Sequence, residues 1–329
     1  MKALVYTGPE TLDFKDVPEP TPAGSDESVV RIEAVGICGS DMHAFHGHDP
    51  RRPAPLILGH EAAGTIVGGP REGERVTINP LVSCGMCDAC VRGRQNLCPK
   101  RQILSMPPRE GAFAQFATAP DRNLIPIPDT LSAKAAACAE PFACGWHAVR
   151  LAGSALDRPL SAANVVVLGG GGIGVGAALC LKIAGCAAIT IVEPHAGRRG
   201  LLEDAVGLSA VTAAEYIDDD IDLVIDAVGY EATRRTASSM VKPGGVILHI
   251  GLGGGDPGLD IRRMTLQEIT FIGTYTYSMA DFQETVSALA RGRFGAMDWL
   301  DVRDLCDGAA AFADLSAGQV TAPKIVLEP

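Results

Sequence analysis

Over roughly its first 130 residues the chain is built of short apolar runs, at 3–6, 28–35, 61–67, 75–78 and 113–118, broken by glycine and proline. Runs of that length and punctuation predict an irregular antiparallel sheet domain. Near Asp129 the pattern changes. Asp129-Thr130-Leu131-Ser132 caps an alanine-rich helical stretch that runs into Ala139-Glu140-Pro141, and a second helical stretch around 144–151 predicts the bridge to a new domain. From Asn164 the order is strand (165–168), glycine-rich turn (169–174), helix (175–184) and strand (188–192), then buried strands at 223–225, 246–250 and 269–272 with helical text between. This alternation predicts a doubly wound α/β domain. The stretch 208–222 is too short for a full crossover helix and predicts a trimmed connection. A helix at about 281–291 and a strand at 324–327 are expected to return to the first domain.

Composition narrows the classes. With 329 residues, 47% of them apolar, the chain can bury two cores of ordinary domain size. Its net charge of −11, with no stretch interleaving lysine or arginine with aromatics, is repelled by phosphate backbones and anionic lipid. Neither nucleic acid nor a membrane is an expected partner. The opening Met1-Lys2-Ala3-Leu4-Val5-Tyr6 is too short and too soon polar for a secretory signal, and no apolar run reaches the roughly 18 residues that span a bilayer. A cytoplasmic protein is expected. There the ten cysteines are reduced, so their clustering reads as metal ligation.

Cys84-x-x-Cys87-x-x-Cys90, seven more residues and Cys98 bring four thiols into one loop with Gly85, Gly93 and Pro99. Tetrahedral zinc takes four soft donors at about 2.3 Å, which a tight loop can supply without regular structure. The alternatives are a reactive cluster of solvated thiols and an iron–sulfur cluster, whose cysteine spacing partly overlaps this one. A second set begins at Gly36-Ile37-Cys38-Gly39-Ser40-Asp41-Met42-His43 and continues at Leu58-Gly59-His60-Glu61. Catalytic zinc wants mixed sulfur, nitrogen and oxygen donors and one open position, a need that Cys38 and His60 fit. Cys138, Cys144, Cys180, Cys186 and Cys306 read as small apolar packers, with Cys144 one helical turn past Glu140.

The run 165–168 followed by Gly169-x-Gly171-Gly172-Ile173-Gly174 supplies a buried strand, a tight turn and a helix start whose free amides can face a pyrophosphate. Glu193, at the end of the next strand, is placed to accept hydrogen bonds from both adenosine ribose hydroxyls. A carboxylate there repels a 2′-phosphate, which favours NAD over NADP. Arg199 beside Arg198 argues the other way, because paired arginines can cradle that phosphate.

Together these segments resemble the zinc-containing medium-chain dehydrogenases, and in particular their sorbitol, polyol and threonine dehydrogenase branch. That branch carries a G-I-C-G-S-D-x-H segment, a G-H-E, the four-cysteine lobe and an E-P pair ahead of the cofactor domain, in the order found here. The resemblance implies a GroES-like irregular β-barrel catalytic domain over residues 1–143 and 279–329, and a Rossmann NAD-binding domain over 144–278. It implies two zinc ions per chain, NAD, and hydride transfer from a secondary alcohol that is a polyol, sugar alcohol, diol or amino alcohol. Cys38 and His60 become catalytic zinc ligands with Glu61 or Glu140 as the third, while Cys84, Cys87, Cys90 and Cys98 hold the structural ion. Asp41 would orient the zinc-bound imidazole, Ser40 would take the substrate hydroxyl proton, and His43 would pass it on through the nicotinamide ribose. Arg198 would lie against the adenosine ribose, the backbone around Val228 and Leu252 beside the nicotinamide, and Lys324 at the pyrophosphate. Cofactor domains would pair through the strand at 269–272 into a homodimer or tetramer.

The chain also departs from these relatives. Sorbitol dehydrogenases place an arginine, in an F-R-Y segment, against polyol hydroxyls, and the matching text here is Tyr275-Thr276-Tyr277. Gly39 replaces the basic residue of liver-type alcohol dehydrogenases, and several residues are missing between Gly64 and Arg75. His46 and His48 read as solvent-exposed loop residues. Two other classes compete. A methyltransferase shares the glycine-rich turn but has no use for two zinc sites. A catalytically retired family member, kept as a binding or structural protein, has no chemical need for Cys38, Ser40, His43 and His60 together.

Overall fold

Residues 1–216, 220–255 and 257–329 are described by a computed structural model. The apolar run at 28–35 becomes the ten-residue strand Glu27–Gly36, the spine of the first domain. Glu61–Val67 pairs antiparallel along one edge of it, and the other edge is shared by Phe116–Pro120 and the C-terminal Ile325–Glu328. Arg75–Ile78 and Leu124–Pro126 extend the sheet on one side, and Asp301–Asp304 extends it on the other. Fully buried Val30, Ala34, Val35, Ala62 and Ala63 let these strands pack closely.

The second half forms a parallel sheet in the order Ser209–Val211, Ala188–Val192, Asn164–Leu168, Ile221–Asp226, Val241–His249 and Thr270–Gly273. Strand order reverses between Asn164–Leu168 and Ile221–Asp226, and a ligand crevice opens at the carboxyl ends of such strands. Val165, Val166, Val167, Leu223, Val224 and Ile225 have no exposure, because helices cover both faces. The trimmed connection at 208–222 carries the short strand Ser209–Val211. Its residues 217–219 lie outside the described residues.

The alanine-rich text makes two helices, Ala133–Ala137 and Ala139–Ala155. The break falls at Cys138 and not at the Glu140-Pro141 pair, because a proline in a first turn has no intrahelical N–H to lose. Glu140 therefore lies in the first turn of a long helix. The helix Met279–Ala290 begins two residues earlier than expected, since Ser278 and Asp281 cap it reciprocally. Cys306 does not pack inward: in the short turn Leu305–Asp307 only Leu305 is buried, and the thiol is exposed. Among the described residues no helix is long and apolar enough to cross a membrane.

The helices Ala139–Ala155 and Met279–Ala290 are tied by a polar clamp. Arg150 Nε donates to Asp281 Oδ1 at 2.7 Å, and His147 Nδ1 lies 2.8 Å from Asp281 Oδ2. Burial pushes the Asp281 carboxyl up, but bonds from His147, Arg150 and Ser278 outweigh it and hold it far below the usual carboxylate range. A carboxylate depressed in the folded state stabilises above its unfolded pKa of about 4, and that stability is lost as pH falls. Asp281→Ala should cost about 3 kcal/mol at pH 7. The gap to wild type in denaturant midpoint should narrow below about pH 4, and an equal gap at pH 3 and pH 7 would contradict the assignment.

Candidate active site and metal centres

The strand register builds the site. Gly36 is paired with Glu61 on one side and Val326 on the other. Cys38 follows the first of these strands, His60 precedes the second and Lys324 precedes the third. Cys38 Sγ, a His60 ring nitrogen and a Glu61 carboxylate oxygen all lie within 4.8 Å of one another. A Cβ on Gly36 would fall 2.1 Å from Glu61 Oε2, so glycine is required for that carboxylate to lie where it does.

Asp41 is fully buried in the first turn of the short helix Gly39–Phe45. Its Oδ2 accepts the Cys38 N–H at 2.9 Å, and its Oδ1 accepts the Gly59 N–H at 3.3 Å and lies 3.4 Å from His60 Nδ1. One side chain thus fixes the backbone of Cys38 and the ring of His60. Burial opposes charge on His60, but the Asp41 carboxylate and the Cys38 sulfur outweigh it and hold the imidazole well above its usual pKa. The site favours positive charge among its donors, as a cation site must. Glu61 is fully buried; its Oε2 contacts Lys324 Nζ, and Oε1 has no hydrogen-bond partner among the described residues. A buried carboxylate oxygen without a partner, beside a thiol and an imidazole, fits a metal ligand.

Glu140 lies outside this group. Its Oε1 accepts the Tyr277 hydroxyl at 2.7 Å, and burial, joined by the charge of Glu61, pushes its pKa up. Ser40 and His43 lie on the helix Gly39–Phe45, both half-buried. Burial first, and the neighbouring His48, lower the pKa of His43. His46 ends that helix half-buried, between Glu10 at 3.4 Å and Ser316 at 3.5 Å, so it is not the free loop residue the sequence suggests. Burial first, and then the charges of Glu140 and Cys38, hold the Cys144 thiol well above its usual pKa.

Sequence reasoning missed Arg52. Its side chain is 2% exposed, with Nε donating to Ser105 O at 3.0 Å and Nη1 to Ser40 O at 3.2 Å and to Asp49 Oδ2 at 2.9 Å. Nη2 reaches Ser40 Oγ at 3.5 Å. Ser105, held by that contact, places its hydroxyl 3.4 Å from His60 Nδ1. An arginine in a proline-rich loop carries no motif, so nothing in the sequence marks it as buried.

Cys84, Cys87, Cys90 and Cys98 converge with all four sulfurs within 4.8 Å of one another. The short helix Asp88–Val91 and the turn Gln95–Leu97 carry the loop around them. Backbone N–H groups of Met86 and Cys87 pull the Cys84 thiol down to about 6, while the cluster as a whole pushes Cys87 up to about 11. Four converging sulfurs, one already favouring thiolate, fit a tetrahedral soft ion. Asn96 Nδ2 donates to Tyr275 O at 2.8 Å, tying this lobe to the segment that carries Tyr277.

Gly169 adopts a φ of +97°, and a Cβ on Gly174 would fall 1.8 Å from Gly169 O, so the helix Gly172–Ile183 can start only with glycine there. Gly171 caps that helix and Gly172 and Ile173 form its first turn. Glu193 is buried; its Oε2 accepts the Gly170 N–H and its Oε1 the His195 N–H, each at 2.8 Å. Arg198 approaches Glu193 Oε2 at 3.6 Å but donates to Val320 O and Thr321 O at 2.9 and 3.3 Å. Val228 and Leu252 lie past the carboxyl ends of their strands, Leu252 largely exposed. The Lys324 ammonium donates to Ile37 O at 2.8 Å besides contacting Glu61, and its Cδ lies 3.3 Å from where a Cβ on Gly172 would be.

Comparison with known proteins agrees with this layout. A family model described as alcohol dehydrogenase GroES-like domain matches residues 24–129, and one described as zinc-binding dehydrogenase matches residues 172–291. The chain is 31% identical over 312 residues to L-galactonate-5-dehydrogenase of Escherichia coli (strain K12), covering 90% of this chain and 89% of that one. It is 32% identical to sorbitol dehydrogenase of Bacillus subtilis (strain 168), covering 89% and 86%. A crystal structure of an alcohol dehydrogenase from Escherichia coli CFT073 complexed with NADH superposes at a TM-score of 0.88, with 25% identity over 100% of this chain and 99% of that one.

Proposed function

This chain belongs to the zinc-containing medium-chain alcohol dehydrogenases, and from that premise we propose that it oxidises a secondary alcohol bearing a neighbouring hydroxyl or amine, with NAD as hydride acceptor. One observation carries the reading: Lys324 spans from Glu61 to the glycine-rich turn. A mixed sulfur, nitrogen and oxygen donor set therefore lies one side chain away from the turn that would cradle a pyrophosphate, as hydride transfer between the two requires. The names of the relatives, L-galactonate-5-dehydrogenase and sorbitol dehydrogenase, support a polyol-type substrate over a retired scaffold.

In this reading Cys38, His60 and Glu61 hold the catalytic zinc, and Glu140 stays beside it on Tyr277. When bound, that ion polarises a substrate hydroxyl and lowers its pKa. Ser40, steadied by Arg52, takes the hydroxyl proton, and His43 passes it outward. Cys84, Cys87, Cys90 and Cys98 hold the second zinc and brace the Tyr275-Thr276-Tyr277 segment. Glu193 accepts the ribose diol, and a homo-oligomer forms through the edge strand Thr270–Gly273, where Phe271 is 37% exposed. The test is NAD reduction by zinc-loaded enzyme against polyols, sugar acids, diols, threonine and simple alcohols at mildly alkaline pH. Vicinally substituted secondary alcohols should lead by tenfold or more in kcat/KM. Far better turnover of ethanol or butanol would remove the substrate half of the reading.

A further inference from the structure

We propose that Arg234 is a positioning residue for the nicotinamide half of the cofactor, because it fixes a glycine-rich turn that has almost no side chains of its own. The inference rests on the NAD-linked reading of the second domain and deepens it. A dinucleotide laid across the point where strand order reverses, with its adenosine at Glu193 past Ala188–Val192, puts its other half over the strands Ile221–Asp226 and Val241–His249. The wall there is made by the two turns that leave those strands, residues 227–230 and 251–255. Val228 abuts the dinucleotide turn directly: its Cγ2 lies 2.4 Å from where a Cβ on Gly169 would be.

The two turns pack backbone on backbone. Gly253 N–H donates to Val228 O and Gly254 N–H to Gly229 O, each at 3.1 Å. A Cβ on Gly251 would fall 2.1 Å from the Val228 carbonyl carbon, and one on Gly253 would fall 2.7 Å from Val228 O, so the approach excludes side chains at both positions. Glycine loses more conformational freedom on being ordered than any other residue, and Gly251, Gly253, Gly254 and Gly255 leave Leu252 as the only side chain in the turn. Leu252 is 70% exposed and anchors nothing. A segment of this composition does not hold its own shape.

Arg234 supplies the missing constraint. It is buried on the helix Glu231–Met240, and every acceptor it has among the described residues is a backbone carbonyl. Nη1 donates to Gly229 O at 2.7 Å and to Gly254 O at 3.3 Å, so one nitrogen bridges both turns. Nε donates to Pro257 O at 2.8 Å, and Nη2 donates to Gly255 O. The donors of a guanidinium form a rigid planar fork, so carbonyls bonded to it are fixed relative to one another. From the strand side, Asp226 Oδ1 accepts the N–H groups of Val228 and Gly229 at 3.0 and 2.8 Å, and Asp226 O accepts those of Ile250 and Gly251 at 2.9 and 3.0 Å. Asp226 sets where both turns begin, and Arg234 sets how they lie against each other.

The test is calorimetric titration of the intact chain with NADH and with ADP-ribose, which keeps the adenosine and the diphosphate but lacks the nicotinamide. Wild type should bind NADH tighter than ADP-ribose by about tenfold or more. Arg234→Gln should weaken NADH about tenfold and leave ADP-ribose within about twofold, because the adenosine end at Glu193 is untouched. Both ligands carry the same diphosphate, so mere loss of a positive charge would weaken both. Arg234→Lys keeps that charge without the fork and should fall between wild type and Arg234→Gln. Gly253→Ala disturbs the same turn with Arg234 in place, since its Cβ would meet Val228 O and come within 2.9 Å of the Tyr230 ring, and it should likewise weaken NADH alone. With Arg234→Lys it carries the decision if Arg234→Gln fails to fold. Unchanged NADH affinity in the Arg234 variants, NADH and ADP-ribose weakened alike, or a wild type that binds the two equally would overturn the inference while the NAD-linked reading stands. Wild type that bound neither ligand would remove that reading and the inference with it.

Discussion

Replacing Cys38 by serine should remove one of two zinc ions from each chain and lower turnover by about a thousandfold, while the four-cysteine ion and the fold remain. A bound zinc ion stabilises developing negative charge by several kcal/mol, and each 1.4 kcal/mol is a factor of ten in rate. Serine keeps the size of the side chain but not the soft thiolate, and His60 and Glu61 alone make a poor tetrahedral site. The fold should survive because Asp41 grips the backbone N–H of Cys38, not its sulfur. The four-cysteine lobe touches the segment that carries Tyr277 through Asn96 and Arg101 at Tyr275, away from Cys38. Metal analysis beside steady-state kinetics checks this. Two retained ions with turnover intact would show that Cys38 is not a ligand, and loss of both together would show that the two sites are not independent.

The sequence was most informative where a few adjacent residues determine the local structure. Glu61–Val67, Arg75–Ile78 and Ala188–Val192 match the apolar runs residue for residue, because glycine, proline or a charge lies within three residues of each end. Among the strands that escaped notice are Thr11–Asp16, Leu124–Pro126, Ser209–Val211 and Asp301–Asp304. Thr11–Asp16 buries only Leu12, and Asp301–Asp304 buries nothing fully, so backbone pairing to a neighbour defines them and apolar pattern does not. The site divides the same way. Cys38, His60 and Glu61 stood out because short motifs bracket them, and the structure brings the three together. The contact of Tyr277 with Glu140 spans 137 residues and that of His147 with Asp281 spans 134, and no local pattern encodes either. Lys324 shows the limit of motif transfer: its place beside Gly172 agrees with a cofactor role, but its ammonium is engaged by Glu61 and Ile37.

Glu193→Ser should lower kcat/KM for NAD by about ten- to a hundredfold, chiefly through KM, and reverse little of the preference by gain with NADP. An ionised carboxylate offers about four lone-pair sites. Two are spent on the Gly170 and His195 N–H groups, which leaves one on each oxygen for the two ribose hydroxyls. Hydrogen bonds to a charged group contribute about 1.5–3 kcal/mol each, and serine replaces at most one of them. Removing the carboxylate also removes its repulsion of a 2′-phosphate. Arg198 and Arg199 are nevertheless partly engaged: Arg198 Nε and Nη2 donate to the Thr321 and Val320 carbonyls, and Arg199 Nη1 to those of Glu193 and Pro194, which leaves only part of one guanidinium for that phosphate. NADP efficiency should therefore rise only severalfold, and the change in ratio should come mainly from the loss with NAD. Because Glu193 also steadies the glycine-rich turn, kcat at saturating NAD separates the two roles; it stays near wild type if ribose recognition is what was lost and falls if the turn itself was disordered. Unchanged NAD kinetics would show that Glu193 does not hold the ribose, and wild-type enzyme that used NADP as well as NAD would remove the cofactor preference altogether.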